Sequence, residues 1–323
     1  MQLGSEEALD PQIRDFIARM KAAFARHPSF DHLTFAERRA VAEAVRRPWR
    51  DGGPEMAAVT ERRIATDGGN VRIRIYRPTP QRANEPDPVL VYLHGGGWTL
   101  FSLDTHDRVM REYAARSGAA VVGVDYALSP EARFPTALEQ TVATVEWLHA
   151  GGGELGIDSA RIAIGGDSAG GNLAVASALK LRDAGKGSRV RALLLNYAAV
   201  DSECSPQAVA QYGGPAFMLE GEEMRQFWAN YLPSAEAAQN PYACPARADL
   251  RGLPPAFLTI AECDLLAEQN IAFAGALRAA GVATEAVVYP GATHSFLEAV
   301  AIARVADRAL EEGSKWLQHT LRQ

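Results

Sequence analysis

Ile164-Gly165-Gly166-Asp167-Ser168-Ala169-Gly170-Gly171-Asn172 fits Gly-x-Ser-x-Gly, the pattern of a serine on a sharp strand-to-helix turn with its hydroxyl exposed above a sheet. Upstream, Arg161 to Ile164 has the β-branched content of a buried strand; downstream, Asn172 to Leu181 is rich in Ala and Leu and favours a helix. A Cβ at Gly166 or Gly170 would clash where the backbone folds so tightly. The same pattern also occurs in plain glycine-rich connections, so the surrounding chain decides its meaning.

Around this turn, strands and helices alternate. Val89 to Leu93 is apolar without alternation, as a parallel strand buried on both faces requires. A helix is expected from about Thr105 to Arg116, a strand from Ala119 to Asp125, a helix from Thr136 to His149 and a strand from Arg161 to Gly165. Beyond the serine come strands Val190 to Leu195, Ala256 to Ala261 and Thr284 to Tyr289, a helix from Glu268 to Ala280 and a last helix from Glu298 to Leu321. Ala58 to Ala65 and Val71 to Tyr76 flank Asp67-Gly68-Gly69-Asn70 and form a hairpin at the sheet's edge. The fold class is α/β: a mostly parallel, doubly wound sheet whose ligands bind beyond the carboxyl ends of the strands.

Two segments stand outside the alternation. Pro11 to Arg47 carries helical apolar stripes (Phe16, Met20, Phe24, then Phe35, Val41, Val45) that Pro48 is expected to end. Asp201 to Tyr242 lacks a clear strand yet holds Phe217, Met218, Phe227, Trp228 and Tyr231. Both are lid candidates: the first reads foremost as a helical pair packed on the main domain, whereas for the second the lid and a surface helix tied to the core are about equal readings. Gln81 to Asp87 is a polar surface loop.

With 323 residues, 47% of them hydrophobic and 22% charged, the chain has ample material for a core. A net charge of -6 without any Lys/Arg-rich block argues against nucleic acid or an anionic membrane as partner. No run approaches a membrane span, and Met1 to Asp10 lacks the pattern of a secretion signal. Cys204, Cys244 and Cys263 have neither zinc-site nor disulfide spacing, which fits reduced thiols in a cytoplasmic protein. No metal or cofactor is expected.

A serine hydroxyl needs a base, a carboxylate to orient that base, and donors for an oxyanion. His294, in Gly291-Ala292-Thr293-His294-Ser295-Phe296, leaves the last strand at the same sheet edge as Ser168. His27, His32, His106, His149 and His319 lie in or beside helices and read as packed or solvated. Asp264 follows its strand within three residues, whereas its rivals Glu262 and Glu268 are a strand neighbour and a helix start. His94-Gly95-Gly96-Gly97-Trp98 lets backbone N–H groups approach a substrate oxygen, joined by the N–H of Ala169 after the serine.

These stretches, with Asp125-Tyr126-Ala127-Leu128-Ser129-Pro130-Glu131 and Phe134-Pro135, resemble the hormone-sensitive lipase-like carboxylesterases of the α/β-hydrolase fold, bacterial acetyl esterases most of all. The resemblance implies a triad of Ser168, Asp264 and His294 and an oxyanion hole from Gly95, Gly96, Gly97 and Ala169, with Gly96 and Gly97 the preferred donors. His94, Trp98 and Asp167 belong to the supporting motifs. It further implies an N-terminal helical cap segment over 1–48, a catalytic domain over 49–323 and a cap insertion at about 201–242. The expected activity is hydrolysis of short-chain acyl esters through an acyl-enzyme, on a small ester substrate. An amidase or carbamate hydrolase with the same triad, or a non-catalytic ligand-binding protein, remains the alternative; a homodimer is family habit without a sequence feature to establish it. Two departures stand out: Asp264-Leu265-Leu266-Ala267-Glu268 where the family often has Asp-Pro-Leu and an acidic pair, and Ala127 where arginine is common.

Overall fold

A computed structural model describes residues 6–80 and 85–323. The loop expected at Gln81 to Asp87 therefore falls mostly outside the described residues. Two helices come first, α1 (Pro11–Phe24) and α2 (Phe35–Arg50). Asp10 opens α1 by accepting the N–H of Gln12, and a reciprocal Thr34/Glu37 capping box opens α2.

Pro48 does not end α2, which runs on to Arg50. Trp49 packs edge-on against Phe16 of α1, ring centroids 4.6 Å apart, and Arg111 collects the carbonyls of Arg50 and Pro54 at 2.9 and 2.7 Å. Tertiary contacts thus hold the last turn in spite of the proline.

Eight strands form one sheet: β1 (Ala58–Thr66), β2 (Gly69–Arg77), β3 (Asp87–Leu93), β4 (Ala120–Asp125), β5 (Ile157–Asp167), β6 (Ala192–Asn196), β7 (Ala256–Cys263) and β8 (Thr284–Thr293). Their order is β1-β2-β4-β3-β5-β6-β7-β8, with β2 antiparallel to both neighbours and every other pairing parallel. The hairpin forms the edge as expected, closing between Thr66 and Gly69.

Along β3, Val89, Val91 and Leu93 enter one apolar cluster while Leu90 and Tyr92 enter the other, so alternate residues serve opposite faces. On the first face pack α4 (Thr136–Gly151), α5 (Ala169–Asp183) and α8 (Ala267–Ala279); on the second pack α3 (Asp107–Ser117), α9 (Arg304–Arg322) and α1. Between β6 and β7 run α6 (Pro206–Tyr212) and α7 (Gly221–Tyr231).

The last helix begins later than the expected Glu298. Phe296–Ala301 is a 3-10 segment that buries Phe296, Leu297 and Ala299 and turns Glu298 inward to a buried ion pair with Arg46 of α2. Only after extended Ala303 does α9 start. Parallel winding brings the carboxyl ends of β3, β5, β7 and β8 to one edge, where His94, Ser168, Asp264 and His294 follow in turn.

Candidate active site

Ser168 joins β5 to α5 with φ 53° and ψ −117°, a backbone conformation that side chains seldom adopt. Its N–H donates to Asn196 O at 2.9 Å and its carbonyl accepts from Ala199 at 3.1 Å, which fixes the strained turn from β6. The flanking glycines are sterically required: a Cβ on Gly166 would lie 2.3 Å, and one on Gly170 1.9 Å, from Leu93 O.

His294 Nε2 lies 2.9 Å from Ser168 Oγ, and its Nδ1 2.7 Å from Asp264 Oδ2. The second carboxylate oxygen accepts the N–H of Leu266 at 3.0 Å, so the Leu265-Leu266 departure leaves the aspartate anchored. All three side chains are buried. Burial disfavours the charged ring of His294, but the charge and hydrogen bond of Asp264 outweigh it and hold the imidazole above its ordinary range. The rival carboxylates are engaged elsewhere: Glu262 accepts Gly291 N–H at 2.8 Å and Glu268 accepts the Ser205 hydroxyl at 2.5 Å.

The glycine turn after β3 is less uniform than its sequence. Gly95, expected with Gly96 and Gly97 in the oxyanion turn, has its N–H engaged by Asp167 Oδ1 at 3.1 Å, which leaves the preferred donors Gly96 and Gly97. Gly96 and Gly97 adopt φ 105° and 58°, and the Gly96 carbonyl takes the N–H groups of Thr99 and Leu100. The N–H groups of Gly96, Gly97 and Ala169 have no partner among the described residues. His94 stacks on Tyr126 (4.4 Å, 12°) and places Nδ1 2.7 Å from Gly95 O. Burial, then the neighbouring His106, pushes its pKa down to about 4, which keeps the ring neutral.

Trp98, buried at φ 55°, stacks on Tyr231 (4.1 Å, 4°) and meets Trp228 at 4.5 Å. The aromatics of α7 thus close over the turn. Beside them, a groove of about 490 Å³ runs between α7 and the first helices, lined by Met20, Phe24, Phe30, Met218, Glu223 and Gln226. Burial pushes the Glu223 carboxyl up to about 7.

Sequence reasoning missed several residues of this neighbourhood. His106 is not an ordinary helix-end histidine: its Nε2 lies 3.3 Å from Asp167 Oδ2. Glu223, the Arg46–Glu298 pair and the ring of Phe227 over Gly97 also escaped it, each being a meeting of segments far apart in the chain. Ala127, the departure from the arginine pattern, donates its N–H to Gln140 Oε1 at 2.7 Å. Among the described residues no cluster of three or more His, Cys, Asp or Glu is placed to hold a metal ion, and no helix is long and apolar enough to cross a membrane.

A serine, a histidine and an aspartate in one hydrogen-bonded line, at the carboxyl edge of a mostly parallel sheet, define the class of an α/β-hydrolase. A family described as alpha/beta hydrolase fold matches residues 90–298. The chain is similar to a hyperthermophilic esterase from the archaeon Pyrobaculum calidifontis, with 35% identity over 96% of this chain and 98% of that one and a TM-score of 0.89. It is also similar to a thermostable carboxylesterase cloned from a metagenomic library (32% identity, 90% and 99% coverage, TM-score 0.86) and to a thermostable esterase from Pseudomonas putida (31%, 98% and 98%, 0.89). The chain belongs to the α/β-hydrolase family, within its hormone-sensitive lipase-like carboxylesterases, and is a carboxylic ester hydrolase.

Proposed function

We propose that this carboxylesterase cleaves short-chain acyl esters through an acyl-enzyme on Ser168. The observation that carries the reading is the line Ser168 Oγ, His294, Asp264, with separations of 2.9 and 2.7 Å. His294 Nε2 takes the proton as Oγ attacks the acyl carbonyl, and Asp264 holds the ring with Nδ1–H toward it and stabilises the imidazolium. The carbonyl oxygen, now an oxyanion, is met by the N–H groups of Gly96, Gly97 and Ala169. His294 then protonates the departing alcohol; water, deprotonated by the same nitrogen, releases the acid and restores the serine.

Residues 1–48 and about 201–242 act in this reading as a two-part cap over the catalytic domain 49–323. The stacking of Tyr231 and Trp228 on Trp98 supports that role. Phe101 against Gly96 and Phe227 against Gly97 crowd the glycine turn, which supports short acyl chains. Cys204, Cys244 and Cys263 are free thiols, which supports a reducing, cytoplasmic setting.

The test is covalent labelling of purified protein with a fluorophosphonate, alongside kinetics of Ser168→Ala. Labelling confined to Ser168 and a drop in kcat of about 10⁶-fold are expected. Retained hydrolysis by the alanine variant refutes the assignment. Across nitrophenyl esters from acetate to palmitate, kcat/KM should peak at the short end; a maximum at the long chains refutes the chain-length reading.

A further inference from the structure

Beneath the glycine turn lies a group of buried polar side chains that the ester chemistry above leaves unused. Asp167, the residue before Ser168, is 2% exposed. Its Oδ1 accepts the Tyr92 hydroxyl at 2.9 Å and Gly95 N–H at 3.1 Å, and its Oδ2 faces His106 Nε2 at 3.3 Å. His106 is 1% exposed. The carboxylate also packs against the turn itself, since a Cβ on Gly95 would lie 2.3 Å from Oδ2.

The hydrogen-bond partners around this pair favour a charged form. His106 Nδ1 is 2.9 Å from Thr105 Oγ1. That hydroxyl spends its one proton on Ser102 O at 2.9 Å and accepts Ser102 N–H at 3.1 Å. With its proton on Ser102 O the hydroxyl is an acceptor toward His106, an arrangement that puts hydrogen on Nδ1. At the other nitrogen, two donors on Oδ1 favour the ionised carboxylate, and a hydrogen on Nε2 completes the contact. This geometry suits an imidazolium paired with a carboxylate. The directions of titration agree: burial opposes the charge on each, yet Asp167 holds His106 above its usual range and His106 holds Asp167 below its own.

We propose that the His106–Asp167 ion pair is the positioning device of the oxyanion turn: His106 fixes the Asp167 carboxylate, which retains Gly95 N–H and so sets Gly96 and Gly97 for the developing oxyanion. The inference rests on the reading of Ser168 as nucleophile and of those two glycines as donors. It gives the residue before the nucleophile a task of its own. The pair also sets the field at the base, because the Asp167 charge favours protonated His294. His106 offsets part of that charge. The remaining charged or titratable neighbours of His106 are Arg46 and Glu298, themselves paired, and His94, whose ring is 5.6 Å away and neutral.

The test uses full-length His106→Gln, Asp167→Asn and the double variant, with kcat, KM and the pH dependence of kcat on nitrophenyl acetate and melting temperature as a check on folding. His106→Gln should lower kcat by about 10²-fold, the scale of one lost oxyanion donor, with KM nearly unchanged. Its acidic limb should move to higher pH, because an uncompensated Asp167 carboxylate favours protonated His294. Asp167→Asn removes that carboxylate, so its acidic limb should move to lower pH. The double variant should lose no more than the worse single one. Limbs that move together, multiplicative losses, or folded variants with wild-type kcat and pH profiles overturn the proposal. Should His106→Gln fail to fold, isosteric Asp167→Asn decides by the direction of its limb. Wild-type protein whose Ser168 takes no fluorophosphonate overturns the nucleophile reading and this proposal with it; labelled wild type with unaffected variants overturns this proposal alone.

Discussion

The ring of Phe227 in α7 rests on the backbone of Gly97: a Cβ at Gly97 would come within 2.1 Å of Phe227 Cγ, at a backbone φ of 58°. Helix α7 therefore touches the glycine turn directly. Gly97→Ala meets two obstacles, the left-handed backbone and a ring whose root is fixed by its helix. Its kcat should fall by about 10²-fold. Adding Phe227→Ala removes the collision but leaves a backbone cost of roughly 1–2 kcal/mol, so the double variant should recover only part of the loss. Steady-state kinetics of the two single variants and the double variant check this.

Asp264→Asn keeps the shape of the site while removing the acceptor that selects the His294 tautomer. A loss in kcat of about 10⁴-fold is expected at neutral pH, with a nearly unchanged melting temperature. A loss of only a few-fold would move the orienting role away from Asp264.

The pH dependence carries a defined sign. His294 must be neutral to accept the serine proton, so kcat rises as pH passes through its raised pKa. Glu223 ionises near pH 7, and its charge helps to hold His294 protonated. Glu223→Gln should shift the acidic limb to lower pH, which the pH dependence of kcat would show. Stability follows a parallel rule. A carboxyl raised from 4.5 to about 7 contributes stability present below 4.5 and lost as pH rises through 7. The melting temperature of Glu223→Gln relative to wild type should therefore be higher at pH 8.5 than at pH 5, which thermal scans at the two values would show.

Arg46 and Glu298 are each 4% exposed and form an ion pair between α2 and the segment after His294. Glu298→Gln strands a buried guanidinium and should cost about 3–5 kcal/mol. Arg46→Met combined with Glu298→Leu removes both charges and should regain most of it. Melting temperatures of the single and double variants test the pair; equal losses in both would assign the effect to packing.

What could be read in the sequence follows from what is local. Gly166 and Gly170 flank Ser168 because the turn has no space for a side chain, and that constraint is written within five residues. Val89 to Leu93 announces a strand buried on both faces, and Asp264 and His294 stand just beyond strands of the same sheet. His106 gave no such sign. It stands at the start of α3 without a capping hydrogen bond from its side chain, and its partner Asp167 is 61 positions away. The role of Gly95 was hidden for the same reason, since all three glycines look alike until the Asp167 side chain claims one N–H across 72 positions. Pro48 and Glu298 misled because local helix rules were overridden by Trp49 on Phe16 and by Arg46.

The seating of α1 sets the order in which the protein is completed. Asp10 N–H donates to Gly291 O at 3.0 Å, and Gln12 Oε1 accepts Arg304 N–H across 292 positions. At about 5–20 residues per second of synthesis, Gln12 is added to the chain roughly 15–60 s before Arg304. Through most of that interval β8 does not exist, so the seat of α1 against the sheet stays incomplete. The base His294 lies close to Arg304 in the chain, so the catalytic line and the seat of α1 are completed late and nearly together.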